Sequence, residues 1–506
     1  MFPRPARRRV TRRDFLHVVL GGTSIALPLG LLACRQTIAA PVSSVPPTGT
    51  ATTRAQATGT ATARSPGTVS TRATPGTGGA TPTTAQRPIA LINGAVIDGT
   101  GTPRQVNTTV LLDGERIVAV ERGVAVPAGA TIVDLRGKTI IPGLIDAHGH
   151  FFARASGTLR AQFAAYPRLY LAGGVTTVRS VGELDPLGVF VLRERLRLGE
   201  EIGPRLVLAG PYFGFEGTTP DRALRDFAEW QGRIDLVKVY TRLTEDVFAP
   251  LAAAAHRAGL PVIGHRGALT AERAIALGLD GIEHGIFAIP EFLGAAVGGP
   301  AADCMLAALD LDGPAVERLI TAIVARQVVV DPTIVIMQTQ QPDFIPVAAE
   351  WERYLSPDAQ AYQRQQRAQG PSPDPGRVSC LTRALDKQQQ FVKRVHDRGG
   401  VVVCGTDPIT PLVLPGYGLH RELRNLVDAG LTPLAALRAA TADAARALRR
   451  DDEIGTIAPG KLADLVVIDG DPSLDITAIG RVDTVYQGGI AHDPASLRKS
   501  VEEAIV

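Results

Sequence analysis

Residues 143–150 read Gly-Leu-Ile-Asp-Ala-His-Gly-His, a short apolar run that ends in two histidines one residue apart. On a strand, side chains alternate faces, so His148 and His150 point the same way, and two imidazoles at a strand end suit a divalent metal. The same pair could also lie in a polar loop, so the rest of the chain must decide. Four more groups of this kind fall in short apolar runs: Lys238 in IDLVKVY, His265 in PVIGH, His284 in GIEHG and Asp407 in VVVCGTD. Each has a plain structural reading when taken singly. His265 or His284 could be a hydrogen-bonded core histidine, Asp407 a turn cap, and Lys238 a snorkelling or acid-paired lysine. A lysine among Val, Ile and Leu is costly without a partner. Together, six metal-competent groups at five strand ends point to one metal centre. Tyr240, two residues beyond Lys238, faces the same side, where a structural and a catalytic role are equally open.

Such a centre needs a scaffold that gathers strand ends. From Pro88, the runs IALINGAVIDGTG, TVLLDGERIVAVER and ATIVDLRGKTIIPG are β-rich, with Asn-Gly and Asp-Gly turn signals. Similar pieces return in ADLVVIDGDP and VDTVYQGGIA. Between them stand eight apolar runs: KTIIPGLID, GVTTVRSVG, PRLVLAG, IDLVKVY, PVIGH, GIEHG, QVVVDPTI and GVVVCGTD. Each is followed by a longer segment, mostly of helical pattern. This alternation predicts an α/β fold, a (β/α)8 TIM-like barrel, with a small β-sandwich domain formed from both ends of the folded region. In such barrels chemistry collects at the C-terminal strand ends, where the six groups fall. Thr432 before Pro433 predicts a capped helix, with AALRAATADAARAL running on as a strong helix former. Segments 301–310 and about 340–386 exceed ordinary connections and are expected to form a lid or extra helices.

The 506 residues carry a formal net charge of +3, which gives no argument for nucleic acid. The first residues are different: a basic stretch precedes an apolar run shorter than a spanning helix needs. Thr11-Arg12-Arg13-Asp14-Phe15-Leu16 resembles a twin-arginine export signal, and Leu31-Leu32-Ala33-Cys34 resembles a bacterial lipobox, whose cysteine is lipidated. A plain membrane-anchor helix is the alternative. Residues 35–87 are mostly Thr, Ala, Pro, Gly and Ser, too poor in large apolar side chains to fold, and read as a tether. The expected organisation is a signal peptide over 1–34, a linker over 35–87, sandwich over 88–142, barrel over 143–450 and sandwich again over 451–506. The chain is expected outside the cytoplasm, held to the membrane through lipid on Cys34. Cys404 is expected as a buried apolar residue. An exported location allows a Cys304–Cys380 disulfide, although the spacing does not support one.

From about Pro88 onward the chain resembles the amidohydrolase superfamily of metal-dependent hydrolases, most closely its imidazolonepropionase-like and Xaa-Pro dipeptidase-like branch. The shared marks are PGLIDAHGH, GVTTVRSVG, VKVY, the Gly-His at His265, GIEHG, GTD and the run from LHRELRNLVDAG to GKLADLVVIDGDP. The resemblance implies a distorted barrel with a small β-sandwich and one or two divalent ions, commonly zinc. His148 and His150 match the family's first ligand pair, and His265 and His284 the ligands of the second metal. Asp407 matches the strand-eight aspartate. Lys238 matches the lysine that is carboxylated in binuclear members, since a carbamate supplies negative charge where an ammonium would be repelled. Two ions would hold a bridging water and lower its pKa. Asp407 would take that water's proton and deliver it to the leaving nitrogen, and Tyr240 would help polarise the carbonyl.

Three positions depart from the pattern. Ser180 stands where relatives often carry Asp, Gly149 where a larger residue is usual, and Ala268 where deaminase branches commonly place a Glu. The leading expectation is therefore hydrolysis of a C–N bond in a small-molecule amide, cyclic amide or dipeptide. One alternative is a mononuclear deaminase or imidazolone-type ring hydrolase. Another is a tethered solute-binding lipoprotein that has lost catalysis, against which the complete ligand set speaks. The oligomeric state is left open.

Overall fold

The computed structural model describes residues 87–155, 158–214, 217–293, 300–341, 353–369 and 374–504. The export signal, Cys34 and the linker lie outside the described residues. Among the described residues no helix is long and apolar enough to cross a membrane.

All eight expected barrel strands form. They are Leu144–Gly149, Val175–Ser180, Arg205–Leu208, Val237–Val239, Val262–Gly264, Gly281–Glu283, Val329–Asp331 and Val401–Val402. Successive neighbours pair in parallel, for example Lys238 beside Ile263 and Glu283 beside Asp331. The ring closes between the eighth strand and the first. The amide of Ala147 donates to the Cys404 carbonyl at 2.9 Å, and that of Asp407 to the His148 carbonyl at 2.8 Å. The third strand is broken. Its first part pairs with the second strand, and its continuation, Tyr212–Phe213, pairs with the fourth. Gly210, at φ +72°, turns the chain between the two parts, and Pro211 has no amide to donate.

The helices between strands follow local rules. Thr219, Thr270 and Thr432 each accept a hydrogen bond from the third residue on, and proline opens the helices Pro220–Trp230 and Pro433–Ala439. Glu245–Arg257 buries Val247, Phe248, Leu251, Ala252 and Ala255, one stripe at helical spacing. The helix expected to run unbroken after Pro433 divides in two, with Ala442–Ala447 as its second part. The break has a reason: the amide of Ile145, at the start of the barrel, takes the Ala440 carbonyl at 2.8 Å. The long insertions hold extra helices at Pro300–Ala308, Pro357–Gln369 and Pro375–Asp397.

The first and last strands of the described region enter one mixed sheet. Its order is Ile490–His492, Val482–Gln487, Leu465–Asp469, Lys138–Pro142, Ile89–Val96, Gln105–Asp113 and Arg116–Glu121, with Thr131–Asp134 also on Ile89–Val96. Leu91, Val110, Leu112, Ile140, Leu465 and Val467 form its own apolar core. The run KTIIPGLID crosses between the two bodies: Lys138–Pro142 belongs to this sheet and Leu144–Gly149 to the barrel. Cys304 and Cys380 are disulfide-bonded, joining the helices Pro300–Ala308 and Pro375–Asp397, and Cys404 is fully buried. The pairing had no signature in the sequence because its 76-residue separation is bridged only by folding.

Candidate metal centre

The barrel brings the expected residues to one end, and the backbone around each is fixed by neighbouring strands. The His148 amide donates to Asp146 Oδ1 at 3.0 Å. Asp146 also accepts from the Thr406 amide and hydroxyl, at 3.2 and 2.6 Å. This carboxyl, pushed up to about 7 by burial, ties the end of the first strand to the eighth. His150 lies one residue past its strand, and its Nδ1 donates to the Gly182 carbonyl at 2.8 Å. A carbonyl can only accept, so Nε2 is the open face; it stands 3.2 Å from Asp407 Oδ1. His284 adopts a left-handed conformation, φ +68°, and its Nδ1 shares a 2.9 Å hydrogen bond with Thr333 Oγ1.

The rings converge. His148 and His284 are 4.7 Å apart by ring centres, His265 and His284 also 4.7 Å, and His148 and His150 5.5 Å. One ligand atom each from His148, His284 and Asp407 falls within 4.8 Å of the others, close enough to share an ion. Lys238 is 1% exposed and its Nζ has no hydrogen-bond partner. Tyr240 stands over this group, its ring 5.1 Å from that of His265 and 5.0 Å from Tyr212.

The electrostatics suit a cation. Burial, with Lys238 nearby, holds His148 well below the usual histidine range, and burial with His284 does the same to His265. Burial takes His284 down to about 4 against the pull of Asp407. Neutral imidazoles are what metal ligation requires. Burial alone would raise Asp407, but His148 and His150 outweigh it and keep the carboxyl ionised. Burial would lower the His150 ring, but Asp407, whose Oδ1 lies 3.2 Å from its Nε2, outweighs that and raises it. Three rings held neutral, at His148, His265 and His284, an ionised carboxylate and an amine without a hydrogen-bond partner form a donor set that fits divalent metal.

Beneath it lies an ion-pair layer that sequence reasoning missed. Glu283 Oε2 is 2.6 Å from His148 Nδ1, and His148 Nε2 faces Asp407 Oδ1 at 3.9 Å. Arg179 Nη2 donates to Glu283 Oε1 at 2.9 Å and to Asp331 Oδ2 at 3.1 Å, and Arg179 Nε donates to the Ala147 carbonyl. His148, Glu283 and Asp331 also come within metal-binding reach of one another, but Arg179 already supplies the cation there. The signal was present: the rule that picks Asp407 out of VVVCGTD applies equally to Asp331 in VVVD and to Arg179 in TTVRS. The departures also gain reasons. Ser180 donates to Glu183 Oε1 at 2.6 Å, and Glu183, raised to about 7 by burial, accepts from the Phe151 amide. A Cβ at Gly149 would lie 2.2 Å from Val178 Cγ1, so the larger residue has no room. The Ala268 amide donates to the Leu243 carbonyl at 2.8 Å and its side chain is exposed.

The model of the amidohydrolase family matches residues 139–491. Imidazolonepropionase of Streptomyces griseus subsp. griseus is 26% identical over 409 residues, covering 73% of this chain and 88% of that protein. Among solved structures, bottromycin amidohydrolase superposes with a TM-score of 0.65 at 22% identity, covering 83% of this chain and 91% of its own. A Xaa-Pro dipeptidase with bound methionine in its active site gives 0.60 at 21% identity, covering 80% of this chain and all of its own.

Proposed function

The chain belongs to the amidohydrolase family, and from that premise we propose that it hydrolyses the C–N bond of a small amide, cyclic amide or dipeptide, using two divalent ions, zinc foremost. The observation that supports this most is the convergence of His148, His284 and Asp407 beside the partnerless Lys238. His148, His150, His265, His284 and Asp407 would hold the ions, with Lys238 as a carbamate. The bound ions supply Lewis acidity toward a carbonyl and toward water.

The protein's own groups supply the rest. Asp407, ionised, accepts the proton of the attacking water and passes it to the leaving nitrogen. Tyr240, beside His265, orients the carbonyl oxygen. Glu283 and Gly182 fix which nitrogen His148 and His150 present. Ala268, with no proton to shuttle, disfavours deamination. Removal of metal with EDTA should abolish hydrolysis of N-acyl amino acids, dipeptides or lactams, and zinc should restore it. A protein that binds such compounds equally well with and without metal and turns none over would be a solute-binding protein instead.

The reading extends to location: export as a lipoprotein, with Cys34 lipidated and the domain held off a membrane by the 35–87 tether. The Cys304–Cys380 disulfide is in keeping with an oxidising compartment. Cys34→Ala should release soluble protein outside the cytoplasm; a variant that stays as firmly in the membrane fraction contradicts the lipid anchor.

A further inference from the structure

His284 stands in an expensive backbone conformation. At φ +68° it is left-handed, as is Gly285 after it at φ +59°. For a residue with a side chain this conformation is unfavourable, so the surroundings must hold it. Two consecutive left-handed residues turn the chain sharply off the sixth strand. The turn leaves the His284 carbonyl and the amides of Ile286 and Phe287 without ladder partners.

All three find one partner, Gln388. This residue is fully buried and comes from the long helix Pro375–Asp397, which packs against the helix Pro300–Ala308, the turn Gly285–Ala288 and the eighth strand. Its Oε1 accepts from the Ile286 amide at 3.0 Å and from the Phe287 amide at 3.3 Å. Its Nε2 donates to the His284 carbonyl at 3.2 Å and to the Pro332 carbonyl at 3.1 Å. Two donors and two acceptors are the whole capacity of a glutamine side chain, and all four are used. Pro332 adjoins Thr333, whose hydroxyl holds the His284 ring. One amide therefore fixes the backbone of His284 and the loop that sets its ring. The fit is close: a Cβ at Gly285 would lie 2.4 Å from Gln388 Nε2. Eight residues before Gln388 on the same helix, Cys380 is disulfide-bonded to the helix Pro300–Ala308, so the helix bearing Gln388 is itself anchored.

We propose that Gln388 is a positioning residue for the metal centre: it holds His284 in the left-handed turn that aims its imidazole at the ions, without touching them. This rests on the reading of His284 as a ligand. Asparagine carries the same amide but on a stem one methylene shorter. Leucine matches the size and makes none of the four bonds. Glutamate can accept from the two amides but sets a carboxylate oxygen against two carbonyls.

The test compares Gln388→Leu and Gln388→Glu with Val392→Ala, one turn further along the helix and equally buried, whose apolar side chain makes no hydrogen bond to the His284 turn. Cobalt(II) is titrated into each metal-free protein, and affinity and the visible absorption of bound cobalt are read. Both Gln388 variants should bind cobalt about 10–100-fold more weakly, as when outer-shell partners of ligands are lost, and show altered absorption at saturation. Val392→Ala should lower the melting temperature but keep affinity and spectrum. Gln388→Glu, which retains half of the bonds, keeps the comparison available if Gln388→Leu does not fold. Wild-type affinity and spectrum in a folded Gln388 variant would overturn the proposal. Failure of the wild type to bind cobalt would instead contradict the proposed function. The clamp would then be judged by hydrogen exchange, where slow amides at Ile286 and Phe287 must become fast in the Gln388 variants, and unchanged rates refute it.

Discussion

The terminal sheet and the C-terminal end of the barrel are both buried but solve opposite problems. The sheet's interior is Leu91, Val110, Ile117, Ile140 and Leu465, and its buried acid, Asp464, is tied by Arg205 at 2.8 Å. The barrel end buries Asp146, Arg179, Glu183, Lys238, Glu283, Asp331 and Asp407 within one neighbourhood. Apolar burial contributes stability with few geometric demands, about 25 cal/mol for each Å². Buried charge costs several kcal/mol for each ion and is kept only where partners are placed well. The sheet therefore joins the first and last strands of the described region, while the barrel end spends stability on a group of charges set for a cation. This enzyme of C–N bond hydrolysis separates the two tasks in space.

The sharpest way to break the contrast is at Asp407. Asp407→Asn keeps an oxygen for metal but cannot accept a proton. Hydrolysis should fall at or beyond the upper end of about 10²–10⁴-fold, with much of the metal retained. Metal content and rate measured on the same preparations check this; a fully loaded variant within a few-fold of wild type would make Asp407 a structural cap.

Next comes Arg179→Leu. It leaves Glu283 and Asp331 facing each other without their shared cation, and should cost about 3–5 kcal/mol by denaturant unfolding. A loss under about 1 kcal/mol would show that the inner acids are satisfied without Arg179. Leu465→Ala in the sheet should cost about 2–5 kcal/mol and leave the metal affinity and rate of the folded protein unchanged. Altered metal binding there would mean that the two regions are coupled, not separate.

The smallest effect belongs to an exposed pair on the barrel's outside. His256 Nε2 is 2.8 Å from Asp280 Oδ2, and that hydrogen bond raises the ring's pKa. A raised histidine contributes stability that is fully present below the unfolded value, about 6.5, and is lost as pH rises through the higher folded value. The group is half exposed, so the contribution should not exceed about 1 kcal/mol. His256→Gln should therefore be less stable than wild type at pH 6 and indistinguishable from it at pH 9. An equal deficit at both would assign the loss to packing.

The contrast also explains what was legible in the sequence. Strand positions were, because eight runs of Val, Ile and Leu recur between helical segments. So were His148, His150, Lys238, His265, His284 and Asp407, because polar residues that end apolar runs stand out. Arg179, Glu283 and Asp331 stand in the same kind of position but went unread, since their partners lie on other strands and only closure of the barrel brings them within 3.1 Å. Gln388 had no local mark at all: it is a glutamine in a polar helix, and its four partners are more than fifty residues away in sequence. The same holds for Cys304 and Cys380. Chemistry written along one strand can be read from it, whereas support that crosses elements cannot.

In the proposed function the buried charges gather two divalent ions around Lys238. Metal analysis of protein purified without chelator, paired with the same measurement and the hydrolytic rate on Lys238→Ala, tests it most directly. The expected result is close to two ions per chain in the wild type, and loss of both the second ion and most activity in the variant. One tightly bound, saturable ion in the wild type, with Lys238→Ala fully active, would contradict it.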